Sequence, residues 1–290
     1  KDLSDFIIHV VRKKQPLYMK QLAALKKETV ASGLHELQTP QPAVLQELIS
    51  EAKIQRVLTL PNLFYLIIKI KIILWKEKIK MNITIIGASG GIGLEAVKRG
   101  LNRNHNITTL SRSEIKLEEN ESLKIIIGDA TNKANLLNAI QNAEAIIVTL
   151  GTVKNTKATT LFSDFAKLIV ELNRENKIDI PFIFVTGFGA GESKNYVSWL
   201  IKLFLKYLLK DVYADKTKME EIITESNMNW TVVRPGRLLD KTLTEKYRVE
   251  NKLYKGINIG GINRADVADF LIKQAENQTE LKKYIGISEK

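Results

Sequence analysis

Residues 81–93 read MNITIIGASGGIG, a short apolar run that breaks into a glycine-rich turn. Ile83, Ile85 and Ile86 suit a buried strand. Gly87, Gly90, Gly91 and Gly93 allow a tight turn with no Cβ in the way. A helix over 92–101 follows. Free backbone N–H groups and the helix dipole then converge on the turn, which makes it an anion site. The spacing is not G-x-G-x-x-G, because position 89 is Ser. It fits G-x-x-G-x-x-G through Gly87, Gly90 and Gly93, and G-x-x-x-G-x-G through Gly87, Gly91 and Gly93. Such a pattern alone occurs in ordinary loops. Placed after a strand and at the start of a helix, it predicts a turn that holds a dinucleotide pyrophosphate.

Working outward, apolar runs alternate with helical patterns. Strands are expected over 82–86, 106–110, 123–127, 145–150, 182–186 and 230–233. Helices are expected over 92–101, 133–140, 160–176 and a long region 196–226. Strands that are apolar throughout, separated by helices, imply a parallel sheet covered on both faces. The fold class is therefore α/β, a doubly wound parallel sheet of the Rossmann type, whose ligands sit at the carboxyl ends of the strands.

Those strand ends hold the next candidates. An acidic residue about 20 positions beyond the turn would bind a ribose 2′-hydroxyl, but Ser111-Arg112 stands there instead. A hydroxyl and a guanidinium suit a 2′-phosphate, which a carboxylate would repel. NADP(H) is therefore favoured over NAD(H). Asp129, in Gly128-Asp129-Ala130, either accepts from an adenine amine or caps the following helix. Thr149-Leu150-Gly151 lies where the backbone passes close to the cofactor.

The chain has 290 residues, of which 44% are hydrophobic, enough for one large α/β domain and an appendage. It has no cysteine, which excludes disulfides and cysteine-ligated metals and fits a reducing cytoplasm. The net charge is +12, and residues 1–80 carry +7 of it, with 14 Lys/Arg against 7 Asp/Glu. Residues 1–80 read as a mainly helical N-terminal extension, with helices over 17–30 and 43–58. They are expected to be a fused or read-through segment in front of a domain spanning 81–290, with Met81 as an ancestral or alternative start. Residues 63–75, LFYLIIKIKIILW, number only 13 and include two lysines. A spanning helix needs about 20 apolar residues, so no transmembrane segment is expected. A membrane-surface anchor and simple packing against the domain are the alternatives there. The basic charge is not gathered on one recognition helix, so nucleic acid is not an expected partner.

GASGGIG at 87–93, Ser111-Arg112, Gly128-Asp129-Ala130, VTLG at 148–151, MEEIITESNMNWTVVRPGRL at 219–238 and NRADVADFLIKQ at 263–274 together resemble the atypical short-chain dehydrogenase/reductases. The resemblance is to their NAD(P)H-binding, flavin/biliverdin-reductase-like and nitrogen-repressor-like branch, and it covers about 82–290. It implies that Gly87, Ser89, Gly90, Gly91, Ile92 and Gly93 hold the pyrophosphate. Ser111 and Arg112 would hold the 2′-phosphate, and Asp129 with Ala130 the adenine. Thr149, Leu150 and Gly151 would line the ribose, Thr186 would lie near the nicotinamide, and Pro235 beside its carboxamide.

The catalytic signal is thinner. A Tyr-x-x-x-Lys pair, whose lysine lowers the tyrosine pKa, occurs only at Tyr65 and Lys69, ahead of the glycine turn. Within the domain, Tyr213 is followed by Lys216, one residue too close; Thr186, Tyr213 and Lys216 are nonetheless the candidate catalytic residues. Lys216 matches a family lysine four residues before Glu220, where it either contacts the nicotinamide ribose or sits on a solvated face. His9, His35 and His105 are not placed for metal or acid–base work, and no metal is expected. Asp211, Asp215 and Glu220 read as solvated helix charges. In 196–213, an apolar stripe opposite Lys202, Lys206 and Lys210 suggests a wall for a flat substrate, a dimer face or plain core packing. The expected function is hydride transfer from NADPH to a small conjugated acceptor (flavin, quinone or related carbonyl), by a monomer or homodimer. Positioning matters more than a dedicated acid in such a reaction. The alternative is a non-catalytic NADP(H) sensor that acts through a protein partner.

Overall fold

Alternation of side chains along the strands divides the core into two layers. In the computed structural model, which describes residues 80–151 and 159–290, strand β1 (Asn82–Ile86) sends Ile83 and Ile85 to one face of the sheet and Ile86 to the other. The same period-two split recurs in β4 (Ala145–Val148) and β5 (Pro181–Val185). In β5, Ile183 and Val185 join the Ile83 layer, and Phe182 and Phe184 join the Ile86 layer. Both faces are apolar, so both must be covered by helices.

One layer lies under α1 (Gly91–Asn102) and α6 (Arg264–Glu276). The other lies under α2 (Lys133–Ile140), α3 (Leu161–Asn176) and α5 (Lys210–Thr224). The remaining main strands are β2 (Asn106–Ser111), β3 (Leu123–Ile127), β6 (Asn229–Pro235), β8 (Tyr247–Glu250) and β10 (Lys283–Glu289). The eight-stranded sheet runs β3-β2-β1-β4-β5-β6-β10-β8, parallel throughout except for antiparallel β8 at one edge. A small parallel pair, β7 (Arg237–Leu239) with β9 (Gly261–Asn263), stands apart. The order reverses at β1, between β2 and β4, which opens a crevice at their carboxyl ends.

The expected doubly wound sheet is present, with differences in detail. The helical region 196–226 is broken. A 3-10 turn (Gly191–Asn195) precedes α4 (Trp199–Leu208), and α4 is separated from α5 at Leu209. The β7–β10 strands follow the strand expected at 230–233. They are short or mixed-polarity, except β10, where Ile285 and Ile287 are fully buried. Asp215 and Glu220 are not solvated. Asp215 accepts from the backbone N–H groups of Phe162 (2.8 Å) and Ser163 (3.2 Å), so α5 caps the N-terminus of α3. His105, just after the turn that ends α1, is buried. Its Nδ1 accepts from the Met81 N–H, which leaves Nε2–H to donate to Glu276 Oε1 at 2.8 Å. The expectations for residues 1–79, including the extension helices, the 63–75 stretch, Tyr65, Lys69, His9 and His35, lie outside the described residues.

Candidate cofactor cleft

At the β1/β4 crevice the chain must turn without side chains. Gly87 has φ +87°, and a Cβ there would lie 2.7 Å from the Thr149 carbonyl oxygen. A Cβ on Gly93 would collide with the Gly87 carbonyl oxygen and lie 2.6 Å from Thr149 Oγ1. Thr149 closes the arrangement by donating to the carbonyls of Ile86 (3.0 Å) and Gly87 (3.1 Å). Gly90 is the N-cap of α1, and no side chain caps that helix. Its first-turn amides therefore lack an internal partner, and Gly90, Gly91 and Ile92 face a cleft of about 1040 Å³. That volume lies just above the usual range for ligand pockets, about 300–1,000 Å³.

Gly87, Ser89, Gly90, Gly91, Ile92, Ser111, Arg112, Asp129, Ala130, Thr149, Leu150, Gly151, Thr186, Lys216 and Pro235 all line this one cleft. Two expected residues do not. Gly93 sits behind the turn, where it permits the close approach just described. Tyr213 packs below Gly187 and Gly189, with the Lys216 ammonium 5.5 Å from its ring centroid. Burial, reinforced by the charge of Glu220, raises the Tyr213 pKa. The apolar stripe of α4 does not line the cleft either, and none of its residues is buried, which excludes core packing for it.

At the β2 end, Arg112 is exposed and Ser111 Oγ donates to the Ser113 carbonyl at 2.8 Å. Asp129 does not cap the next helix. Asn132 does so, accepting from the Asn135 N–H. The Asp129 carboxylate takes hydrogen bonds from the Thr131 N–H and Oγ1, both 2.8 Å. These bonds, with a smaller contribution from Arg112, hold its pKa below the usual range.

The opposite end is built from side chains. Thr186 follows β5, and its Oγ1 donates to Glu220 Oε1 at 2.6 Å. Glu220 is clamped in turn by Arg234 of β6, through Nε (3.0 Å) and Nη2 (2.7 Å). Both charged side chains are 2% exposed, and the Arg234 guanidinium lies 4.0 Å from the Tyr284 ring centroid. Lys216 Nζ donates to the Thr186 carbonyl at 2.6 Å. Removal from water lowers the Lys216 pKa to about 8, although Glu220 works in the other direction.

Arg264 and Asp240 also line the cleft, and neither was apparent in the sequence. Arg264 opens α6 and reaches over the turn, with its Nε 3.8 Å from where a Gly91 Cβ would lie. Its Nη1 pairs with Asp240 at 2.5 Å, and Asp240 is 83% exposed. Only the position of Arg264 at a helix start, just after a strand, signalled it. Among the described residues no group of three or more His, Cys, Asp or Glu side chains is placed to hold a metal ion.

A family model described as NAD(P)H-binding matches residues 87–278. A Bacillus subtilis protein named as an uncharacterized sugar epimerase, YhfK, is 25% identical over 219 residues, covering 72% of this chain and 94% of that one. Among solved structures, a short-chain dehydrogenase/reductase from Veillonella parvula in complex with NADP has a TM-score of 0.60 at 20% identity, over 72% of this chain and 94% of that one. ChuY of Escherichia coli O157:H7, described as an anaerobillin reductase, has a TM-score of 0.58 at 20% identity, over 72% and 97%.

Proposed function

The chain belongs to the NAD(P)H-binding family, and on that premise we propose that it is an NADPH-dependent oxidoreductase that passes a hydride to a flat conjugated acceptor. The observation that carries this is the cleft itself. One end offers uncapped amides and the Ser111-Arg112 pair, and the other offers Thr186, Lys216 and Pro235. The NADP complex of the Veillonella protein and the reductase description of ChuY support the reading.

The glycine cradle fits a dinucleotide, because the space that side chains would fill at Gly87 and Gly93 is used for close backbone approach. The α1 amides hold the pyrophosphate, and Arg264 adds positive charge above it once released from Asp240. Ser111 and Arg112 take the 2′-phosphate, and Asp129 accepts from the adenine amine beside Ala130. Thr149, Leu150 and Gly151 line the ribose, and Pro235 lies beside the carboxamide. Bound NADPH supplies the hydride. Lys216, fixed on the Thr186 carbonyl, would hold the nicotinamide ribose. Tyr213 stands back and is raised in pKa, so solvent supplies the proton to the acceptor. The cofactor domain is assigned to 81–290, with residues 1–80 as a separate extension.

Titration with NADPH and NADH, followed by turnover with flavins, quinones and bilins, tests the reading. Tighter NADPH binding and steady NADPH oxidation are expected with at least one acceptor. No tyrosine lines the cleft among the described residues, which favours a second reading, a sensor that binds NADPH without turnover. Tight binding with no oxidation across the panel selects it. The same lack of a tyrosine at the cleft argues against sugar epimerisation by a tyrosine acid–base.

A further inference from the structure

Helix α4 is built unlike every other helix described. Its sequence, WLIKLFLKYL, is mostly apolar, yet none of its residues is buried. Trp199 is 68% exposed, Leu200 61%, Phe204 51% and Tyr207 73%. The helix is anchored chiefly by Leu205, which packs with Phe188 and presses against Gly189. At 100° per residue, Leu200, Leu203, Phe204 and Tyr207 form one outward stripe. Lys202 and Lys206 project from the other side of the helix, roughly 110–150° round from the stripe, and Lys210 follows the break at Leu209. No acidic residue occurs from Tyr196 to Lys210. A helix of ten residues is about 15 Å long, and no described helix is long and apolar enough to cross a membrane.

We propose that α4 is an interfacial docking helix that lays its apolar stripe into an anionic lipid surface while its lysines meet the headgroups. Charge decides between the occupants. A second copy of this chain packed stripe to stripe would leave the lysines of both helices without a carboxylate from either α4. The chain's own apolar stretch at 63–75 also carries Lys69 and Lys71 and no acid, so it too would add like charge. Phosphate headgroups supply the missing counter-charge, and the Trp and Tyr side chains suit the boundary between headgroup and acyl chain.

Co-sedimentation of the full chain with vesicles tests this. Vesicles of phosphatidylglycerol and phosphatidylcholine are compared with phosphatidylcholine alone, at low and high salt. Binding at least tenfold stronger to the anionic vesicles, and weakened by salt, is expected. Leu200→Glu with Phe204→Glu should remove at least tenfold of it while NADPH affinity stays unchanged. Lys202→Glu with Lys206→Glu, a purely surface change, should do the same. Equal binding to both vesicle types, or binding that survives either double variant, overturns the proposal. So does a chain that ignores vesicles but is a dimer that the Leu200/Phe204 variant splits.

Discussion

The two ends of the cleft are made of different material. The end proposed for the pyrophosphate is backbone: a turn, an uncapped helix start and two glycines at which a Cβ would lie 2.7 Å or less from a neighbouring oxygen. The end proposed for the nicotinamide is a network in which Lys216 holds the Thr186 carbonyl, the Thr186 hydroxyl holds Glu220, and Glu220 holds Arg234. A backbone site tolerates any side chain that does not intrude, whereas a buried network fails when one member is lost. That contrast ranks the substitutions.

The largest effect is expected at the network. Glu220→Ala would leave Arg234 buried and unpaired, a cost of about 3–5 kcal/mol. Urea unfolding should show it as a fall in midpoint, and a matched apolar replacement of both Glu220 and Arg234 should recover much of the loss. Recovery would mean that the pair serves the site rather than stability. Next comes Gly93→Ala. The added methyl meets the Gly87 carbonyl and Thr149 Oγ1, and overpacking of this kind costs about 1–3 kcal/mol. NADPH affinity should fall with it, because the turn itself must shift. If calorimetry finds both unchanged, the cradle is looser than its geometry implies.

Arg112→Ala tests the open, solvated rim of the backbone end. One charge-assisted hydrogen bond contributes about 1.5–3 kcal/mol. NADPH should therefore bind roughly tenfold to a hundredfold more weakly, with NADH little affected and the fold intact. Equal losses for both cofactors would remove the NADP assignment.

The same contrast explains what the sequence disclosed. The glycine turn, Ser111-Arg112 and Asp129 are local, each readable within a few positions of a strand end. The buried network is not local. Thr186 and Glu220 are 34 positions apart, and Glu220 and Arg234 are 14 apart. Helical charges such as Asp215 and Glu220 look solvated until the packing of α3, α5 and β6 is known. Arg264 escaped for the same reason, since only the folded chain brings the start of α6 over Gly91. The break at Leu209 was also hidden, because 196–226 contains neither glycine nor proline to announce it.

The smallest effect is expected at Lys216. Its folded pKa of about 8 lies below the ordinary lysine value near 10.4. If the charged amine holds the nicotinamide ribose, NADPH affinity should be steady below pH 8 and about tenfold weaker by pH 9, one unit above a single controlling pKa. Lys216→Arg should flatten that profile, because a guanidinium stays charged. Stability of the cofactor-free protein should move the other way. Between pH 8 and about 10.4 the unfolded chain binds the lysine proton that the folded chain has released, so this residue's contribution to stability rises with pH. Comparison with Lys216→Met isolates it from lysines such as Lys273, whose raised pKa acts oppositely. Affinity falling while that difference in stability rises would tie one half-buried amine to both effects. A profile that falls alike in Lys216→Met would place the titrating group elsewhere in the cleft.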